Sequence, residues 1–99
     1  MSEKSFLFVT GTVNPEGKEA LGQYLAGAGP LFQAGGGTPF GRFQLTDQIA
    51  GNAKANVSAI MEFPSADAIK EIFDSAAYQE LIPLRNQAFS EIDIYIAQS

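Results

Sequence analysis

Residues 62–85 constrain the fold of this chain more than any other segment. A β-rich run ends at a proline, after which Ser65 can cap a helix whose apolar residues recur on one side. Ser75 predicts a second cap, for a short helix that Pro83 is expected to stop. Arg85 follows at the point where that helix is expected to end. This order of a strand, two capped helices and an arginine is specific enough to suggest a fold.

The remaining patterns predict one domain over residues 1–99. Asn14 is expected to cap a first helix, Pro30 to interrupt it, and the glycines at 35–37 to end it. The order is β-α-β, a hairpin turn, then β-α-β, which predicts an α+β fold of the ferredoxin-like kind with a four-stranded antiparallel sheet and helices on one face. Strands are predicted over 5–13, 38–48, 55–63 and 92–97.

The predicted sheet has more apolar surface than its helices can cover. Two helices cover one face, and both faces of the first strand are apolar, one through Phe8 and the other through Leu7. The open face would expose one of these sets together with Ile60 and Tyr95, a patch that monomers rarely tolerate. A second copy is the simplest cover, so we expect a homodimer.

Composition excludes several classes of function. The chain has no Cys and no His, which removes disulfides, zinc sites, thiol nucleophiles and imidazole bases, so we expect no metal and no cofactor. The net charge is −5 and no basic stripe exists, so nucleic acid and anionic membranes are poor partners. The first apolar run, residues 6–9, is too short for a signal sequence or a membrane span, and we expect a cytoplasmic protein.

On these residues the chain resembles the dimeric α+β barrel superfamily, and most closely the bacterial domain of unknown function 1330 family. The resemblance implies a ferredoxin-like protomer whose sheet packs against that of its twin and encloses a barrel-like space. Superfamily relatives include cofactor-free quinol and antibiotic-biosynthesis monooxygenases, lactone isomerases and haem-handling enzymes, but the specific family implies no reaction. The segments that carry the resemblance are Glu62-Phe63-Pro64-Ser65, Ser75-Ala76-Ala77-Tyr78-Gln79 and Pro83-Leu84-Arg85.

The chain departs from these relatives at two points. It lacks the aromatic residue expected in the loop between the second and third strands. It also lacks the histidine that haem-handling relatives use as an iron ligand, which argues against haem.

Arg85 has two interpretations, because it is the single arginine in a half of the chain that holds three bases against seven acids. Its planar fork could hold the carboxylate or phenolate of a ligand. Alternatively, it pairs with Glu62, Glu91 or Asp93 and fixes the loop after the helix to the sheet. Most arginines form local ion pairs of this kind. Tyr78 is expected to pack its ring under the short helix with its hydroxyl on a loop carbonyl.

Proton transfer, if the protein is an enzyme, would fall to carboxylates and tyrosine. Glu62 and Asp93 are the best candidates for a base, and Tyr95 shares its predicted face with Asp93 and is expected to line the space between subunits. Glu62 could equally pair with Arg42 across the dimer. Phe8 and Arg42 complete the predicted lining.

Two functional classes therefore remain open. One is a cofactor-independent monooxygenase or isomerase that acts on a small aromatic or quinone-like compound inside the dimer. The other is a non-catalytic module for binding a small molecule or for assembly. A cavity that contains both Glu62 and Tyr95 would favour the enzyme, and a dry, filled interface would favour the module.

Overall fold

A computed structural model describes residues 4–98, which form one sheet with all helices packed against it or against each other. The order of the elements confirms the predicted α+β, ferredoxin-like arrangement. The elements are β1 (Ser5–Val13), α1 (Lys18–Ala34), β2 (Thr38–Gln44), β3 (Val57–Phe63), α2 (Ala66–Asp74), α3 (Ala76–Gln79), α4 (Ile82–Ala88) and β4 (Phe89–Gln98).

The four strands form an antiparallel sheet in the order β2-β3-β1-β4. The register of β1 fixes which side chains share a face, because successive residues of a strand point to opposite sides. Leu7 lies opposite Met61 of β3, whereas Phe8 lies opposite Ile60 of β3 and Tyr95 of β4. The sheet therefore has a Leu7 side and a Phe8 side.

The helices cover the Leu7 side and leave the Phe8 side open. Leu7 is buried in a cluster with residues of α1, α2 and α3, whereas Phe8 is exposed. Of the two apolar faces of the first strand, the one with Phe8 is therefore the open face. The buried members of the core cluster are Leu7, Tyr24, Ala28, Phe63, Ile69, Ile72 and Tyr78.

The first helix differs from the prediction at its start and in its middle. It begins after Gly17, and the side-chain oxygen of Asn14 accepts a hydrogen bond from the N–H of Glu16, at 3.1 Å, in the turn before the helix. Pro30 lies inside a continuous helix. The buried Ala28 and the packed Leu31 hold the chain on both sides of Pro30, so tertiary contacts outweigh the local cost of the proline.

The two serine caps are confirmed. Ser65 Oγ accepts a hydrogen bond from the N–H of Ala68 at 3.1 Å, and Ser75 Oγ accepts one from the N–H of Tyr78 at 3.2 Å. The prediction that Pro83 stops a helix is wrong, because Pro83 lies in the first turn of α4, where a missing N–H costs little. Arg85 consequently lies inside a helix and not after one.

Residues 45–56 form an irregular connection, since β2 ends earlier than predicted and β3 begins later. Its base is held to β1, where the N–H of Val13 donates to the side-chain oxygen of Asn56 at 3.1 Å. Ile49, in the middle of the connection, is 95% exposed. No helix within residues 4–98 has the length and apolar character needed to cross a membrane.

Candidate functional site

The sheet divides the predicted site residues into two groups. Tyr78 and Arg85 lie on the helix side, because Tyr78 belongs to the core cluster and Arg85 contacts it. The register places the other group on the opposite, open side, and the structure does not bring the two groups together. The open-side group is Phe8, Glu62, Asp93 and Tyr95.

We call the uncovered surface the open sheet face. Phe8 and Tyr95, which are 37% and 58% exposed, form one row with Ile60 across its three adjacent strands. Phe40 of β2 adds another aromatic ring to this face, with its ring 5.8 Å from that of Phe6 in an edge-to-face contact. The face is defined by Phe6, Phe8, Phe40, Phe43, Ser58, Ile60, Glu62, Asp93 and Tyr95.

Glu62 and Asp93, the two carboxylates predicted as bases, are far apart on the open sheet face. Glu62 lies opposite Phe6, whereas Asp93 lies opposite Thr10, four residues further along β1. At the rise of a strand this separates them by about 13 Å along β1 alone. They therefore do not form a pair that could share one proton. Glu62 is ion-paired with Lys4 at 3.6 Å.

Arg42 is not on the open sheet face. It pairs with Ala59 of β3, which shares a side with Val9 and hence with the helices. Arg42 is itself exposed, because it lies on the edge strand β2. The pairing of Glu62 with Arg42 was predicted across the dimer and stays a prediction; within one protomer the two side chains lie on opposite faces of the sheet.

On the helix side, three polar side chains from three helices meet in what we call the phenol–guanidinium cluster: Tyr24, Tyr78 and Arg85. The hydroxyl oxygens of Tyr24 and Tyr78 are 2.8 Å apart, and Arg85 Nη1 donates to the hydroxyl of Tyr78 at 3.1 Å. The guanidinium carbon lies 5.8 Å from the centre of the Tyr78 ring. The expectation that the Tyr78 hydroxyl contacts a loop carbonyl is therefore wrong.

Local sequence signals place two members of this cluster, Tyr78 and Arg85. The cap by Ser75 starts α3 and fixes the backbone of Tyr78. The Tyr78 ring then packs edge to face on Phe73, with 4.6 Å between ring centres, and leaves 1% of the residue exposed. Pro83 opens α4, on which Arg85 lies one turn from Leu81 and in reach of Tyr78.

Arg85 has no carboxylate partner within residues 4–98. The ion pair predicted with Glu62, Glu91 or Asp93 is not formed, because all three carboxylates lie on the opposite side of the sheet. Arg85 is half-buried, and its Nε atom is buried without any hydrogen-bond acceptor from the described part of the chain. A cation in this position is uncompensated by residues 4–98.

Tyr24 is the member of the cluster that the sequence reasoning missed. Its helical spacing from the apolar residues of α1 predicts only packing, and its single polar atom gives no sequence signal. Burial, and next the hydrogen bond to Tyr78, raise the pKa of Tyr24 well above its ordinary value, while the charge of Arg85 acts in the opposite direction. Tyr24 is therefore a neutral phenol, able to donate a hydrogen bond and unsuited to act as a base.

Comparison with known proteins agrees with this architecture. A protein of unknown function from Rhodopseudomonas palustris superposes with a TM-score of 0.85 at 20% identity, covering 100% of this chain and 84% of that one. A putative antibiotic biosynthesis monooxygenase from Nitrosomonas europaea superposes with a TM-score of 0.69 at 12% identity, covering 100% and 92%. At these identities the likeness shows the fold alone.

A third solved structure is a dimeric protein of unknown function with a ferredoxin-like fold, from Bacteroides fragilis. Its TM-score is 0.63 at 8% identity, with 97% of this chain and 96% of that one covered. A search of curated proteins finds no match to this sequence. The family model described as domain of unknown function (DUF1330) matches residues 7–99. The chain therefore belongs to this family and has a ferredoxin-like α+β fold.

Proposed function

We propose that the protein works as a homodimer joined through the open sheet face, and that this interface holds a small, flat organic molecule. The observation that carries the proposal is the row of Phe8, Ile60 and Tyr95, which crosses three strands and is covered by no helix of residues 4–98. Soluble monomers rarely expose a contiguous apolar patch of this kind. One neighbour in fold is described as dimeric, which supports the proposal.

A second copy suits this surface better than other occupants. Sheet faces pack on one another about 10 Å apart with interdigitated side chains, and a two-fold axis brings one patch onto an identical patch. The face also carries Glu62 and Asp93 on a chain of net charge −5, which disfavours an anionic lipid surface. We expect the dimer to bury about 1,200–2,000 Å² in total.

The lining of the face favours an aromatic ligand. Phe8, Phe43 and Tyr95 present rings that can stack on a flat molecule, and the Tyr95 hydroxyl can orient it by a hydrogen bond. A binding role needs nothing more than these groups. Catalysis as a cofactor-independent monooxygenase or isomerase would also need a base, for which Asp93 remains the candidate, since Glu62 is ion-paired with Lys4.

The association is tested by comparing Ile60→Asp with Ile49→Asp in sedimentation velocity. Both variants add one carboxylate in place of an isoleucine, but Ile60 lies in the central row of the face and Ile49 in the connection between β2 and β3. We expect Ile60→Asp to weaken the dimer by about 100-fold or more, with an unchanged far-ultraviolet spectrum, because a charge would be buried. A wild-type protein that sediments as a monomer at micromolar concentration would overturn the proposal.

Ligand binding between the sheets is tested by calorimetric titration with 1,4-naphthoquinone. We expect Phe8→Ala to abolish binding and Arg85→Met to leave it unchanged, because the sheet separates the two residues. Loss of binding in Arg85→Met alone would contradict this placement. Turnover of a bound quinol in wild type that is lost in Asp93→Asn would favour the enzyme over the binding module.

A further inference from the structure

We infer that Tyr24, Tyr78 and Arg85 form a second binding site, for one small carboxylate, on the helix side of the sheet. The inference is independent of the dimer and of the ligand proposed for the open sheet face. It rests on the hydrogen-bond and charge balance of the phenol–guanidinium cluster.

The cluster has more donors than acceptors. Arg85 carries five N–H donors, and residues 4–98 supply an acceptor for one of them, the bond from Nη1 to Tyr78. The two phenols carry two hydrogens, yet their mutual contact uses only one. Whichever tyrosine donates in that contact, the other hydroxyl hydrogen has no acceptor among the described residues. Groups of this kind are paired when buried, so the site lacks an acceptor.

The missing acceptor is also expected to be negatively charged. Seven acids lie in the half of the chain that contains Arg85, but none within residues 4–98 forms an ion pair with it. An uncompensated, half-buried guanidinium favours an anion more strongly than it favours a neutral acceptor. The Nε atom is buried and closed to a ligand, whereas Nη2 is not buried and has no partner within residues 4–98, so two parallel hydrogen bonds to one carboxylate can form at the Nη1 and Nη2 end of the fork.

The surroundings favour a carboxylate with a single charge over a phosphate. One guanidinium compensates one negative charge, and a dianion would pay a larger desolvation cost beside aromatic rings. Those rings are close: Phe73 packs on Tyr78, and Phe89 packs edge to face on Tyr24 with 6.2 Å between centres. Because Tyr24 remains a neutral phenol, it adds a hydrogen-bond donor and does not repel the anion.

The test is calorimetric titration of the full-length protein with sodium benzoate, sodium acetate and inorganic phosphate. The variants are Arg85→Met, Tyr24→Phe and, as a matched control, Arg42→Met, which removes the same charge from an exposed edge strand. We expect millimolar or tighter benzoate binding in wild type, a loss of about 30-fold or more in Arg85→Met, about 5-fold in Tyr24→Phe, and no change in Arg42→Met.

Several outcomes would overturn the inference. These are no carboxylate binding in wild type, an equal loss in Arg42→Met, or preference for phosphate over both carboxylates. Benzoate binding by the Ile60→Asp monomer but not by the wild-type dimer would also overturn it, because a carboxylate of the second copy would then occupy Arg85. If Arg85→Met does not fold, the Arg85 Nε–H resonance of wild type replaces it, and we expect benzoate, but not chloride at equal ionic strength, to shift that resonance.

Discussion

The hydroxyl groups of Tyr24 and Tyr78 meet at 2.8 Å, although 54 residues separate the two tyrosines in sequence. The rings also pack edge to face, with 6.2 Å between centres. This contact joins α1 to α3, and the bond from Arg85 to Tyr78 adds α4 to the same point. Three helices therefore share one small polar junction inside an otherwise aromatic layer. The loss of stability on substitution should depend on how many hydrogen bonds of this junction are removed.

Removal of either hydroxyl should destabilise the fold, and Tyr78→Phe should cost more than Tyr24→Phe. Tyr24→Phe loses one hydrogen bond and leaves Tyr78 paired with Arg85, at a cost of about 1 kcal/mol. Tyr78→Phe leaves the Tyr24 hydroxyl without its partner and Arg85 Nη1 without its acceptor, at a cost of about 2–3 kcal/mol. Urea unfolding followed by circular dichroism measures both values.

The double variant provides the control for this prediction. Its cost should be smaller than the sum of the two single costs, because the contact between the hydroxyls can be lost only once. Equal costs for the single variants would contradict the contribution of the bond from Arg85, and strict additivity would show that the two hydroxyls do not act through each other.

Alkaline pH should destabilise the protein through Tyr24. Its pKa is raised in the folded chain and near 10 in the unfolded chain, so above a pH of about 10 the unfolded chain loses this proton first. The unfolded state then binds fewer protons, and the free energy of unfolding falls as pH rises. The stabilising contribution is complete below a pH of about 10. Urea midpoints at pH 8 and pH 11 should therefore fall less in Tyr24→Phe than in wild type; an equal fall would contradict the assignment.

Two glycines flanking the start of α1 should respond to alanine in opposite directions. A Cβ atom at Gly22, on the exposed side of the helix, would meet nothing within 4 Å, so Gly22→Ala should stabilise by about 0.5–1 kcal/mol. A Cβ atom at Gly17 would overlap the backbone carbonyl of Gln87 in α4. Gly17→Ala should therefore destabilise by about 1–3 kcal/mol or more, because α1 and α4 must separate. Thermal melts decide both; a stabilising Gly17→Ala would contradict the close approach of these helices.

The sequence predicted those parts of the fold whose signals are local. The strand over 5–13 has the predicted limits, and the caps Ser65 and Ser75 form the expected bonds with N–H groups three residues later. Pro30 and Pro83 were misjudged for one reason. A proline predicts only the conformation of the backbone around it. The packing on both sides of Pro30 and the start of a new helix at Pro83 depend on distant residues.

The candidate site was less predictable than the fold. Arg85 and Tyr78 were identified from sequence, but Tyr24 was not, because contact between residues so far apart has no local pattern. The carboxylates Glu62 and Asp93 are close to Arg85 in the predicted order of elements, yet strand parity turns them to the other face. The face to which each strand residue points can be assigned only when one residue of β1 is known to be buried.

The alternation of side chains along β1 has a consequence for how this protein tolerates change. Odd-numbered positions such as Leu7 supply the core beneath the helices, and even-numbered positions such as Phe8 supply the opposite surface. Point substitutions can thus alter either surface separately, so the two sites are free to diverge independently between related chains. Insertion or deletion of a single residue in β1 would exchange the two sets, placing phenylalanines beneath the helices and the Leu7 set on the outer surface. Length variation among relatives should accordingly spare this strand and collect in the connection over residues 45–56.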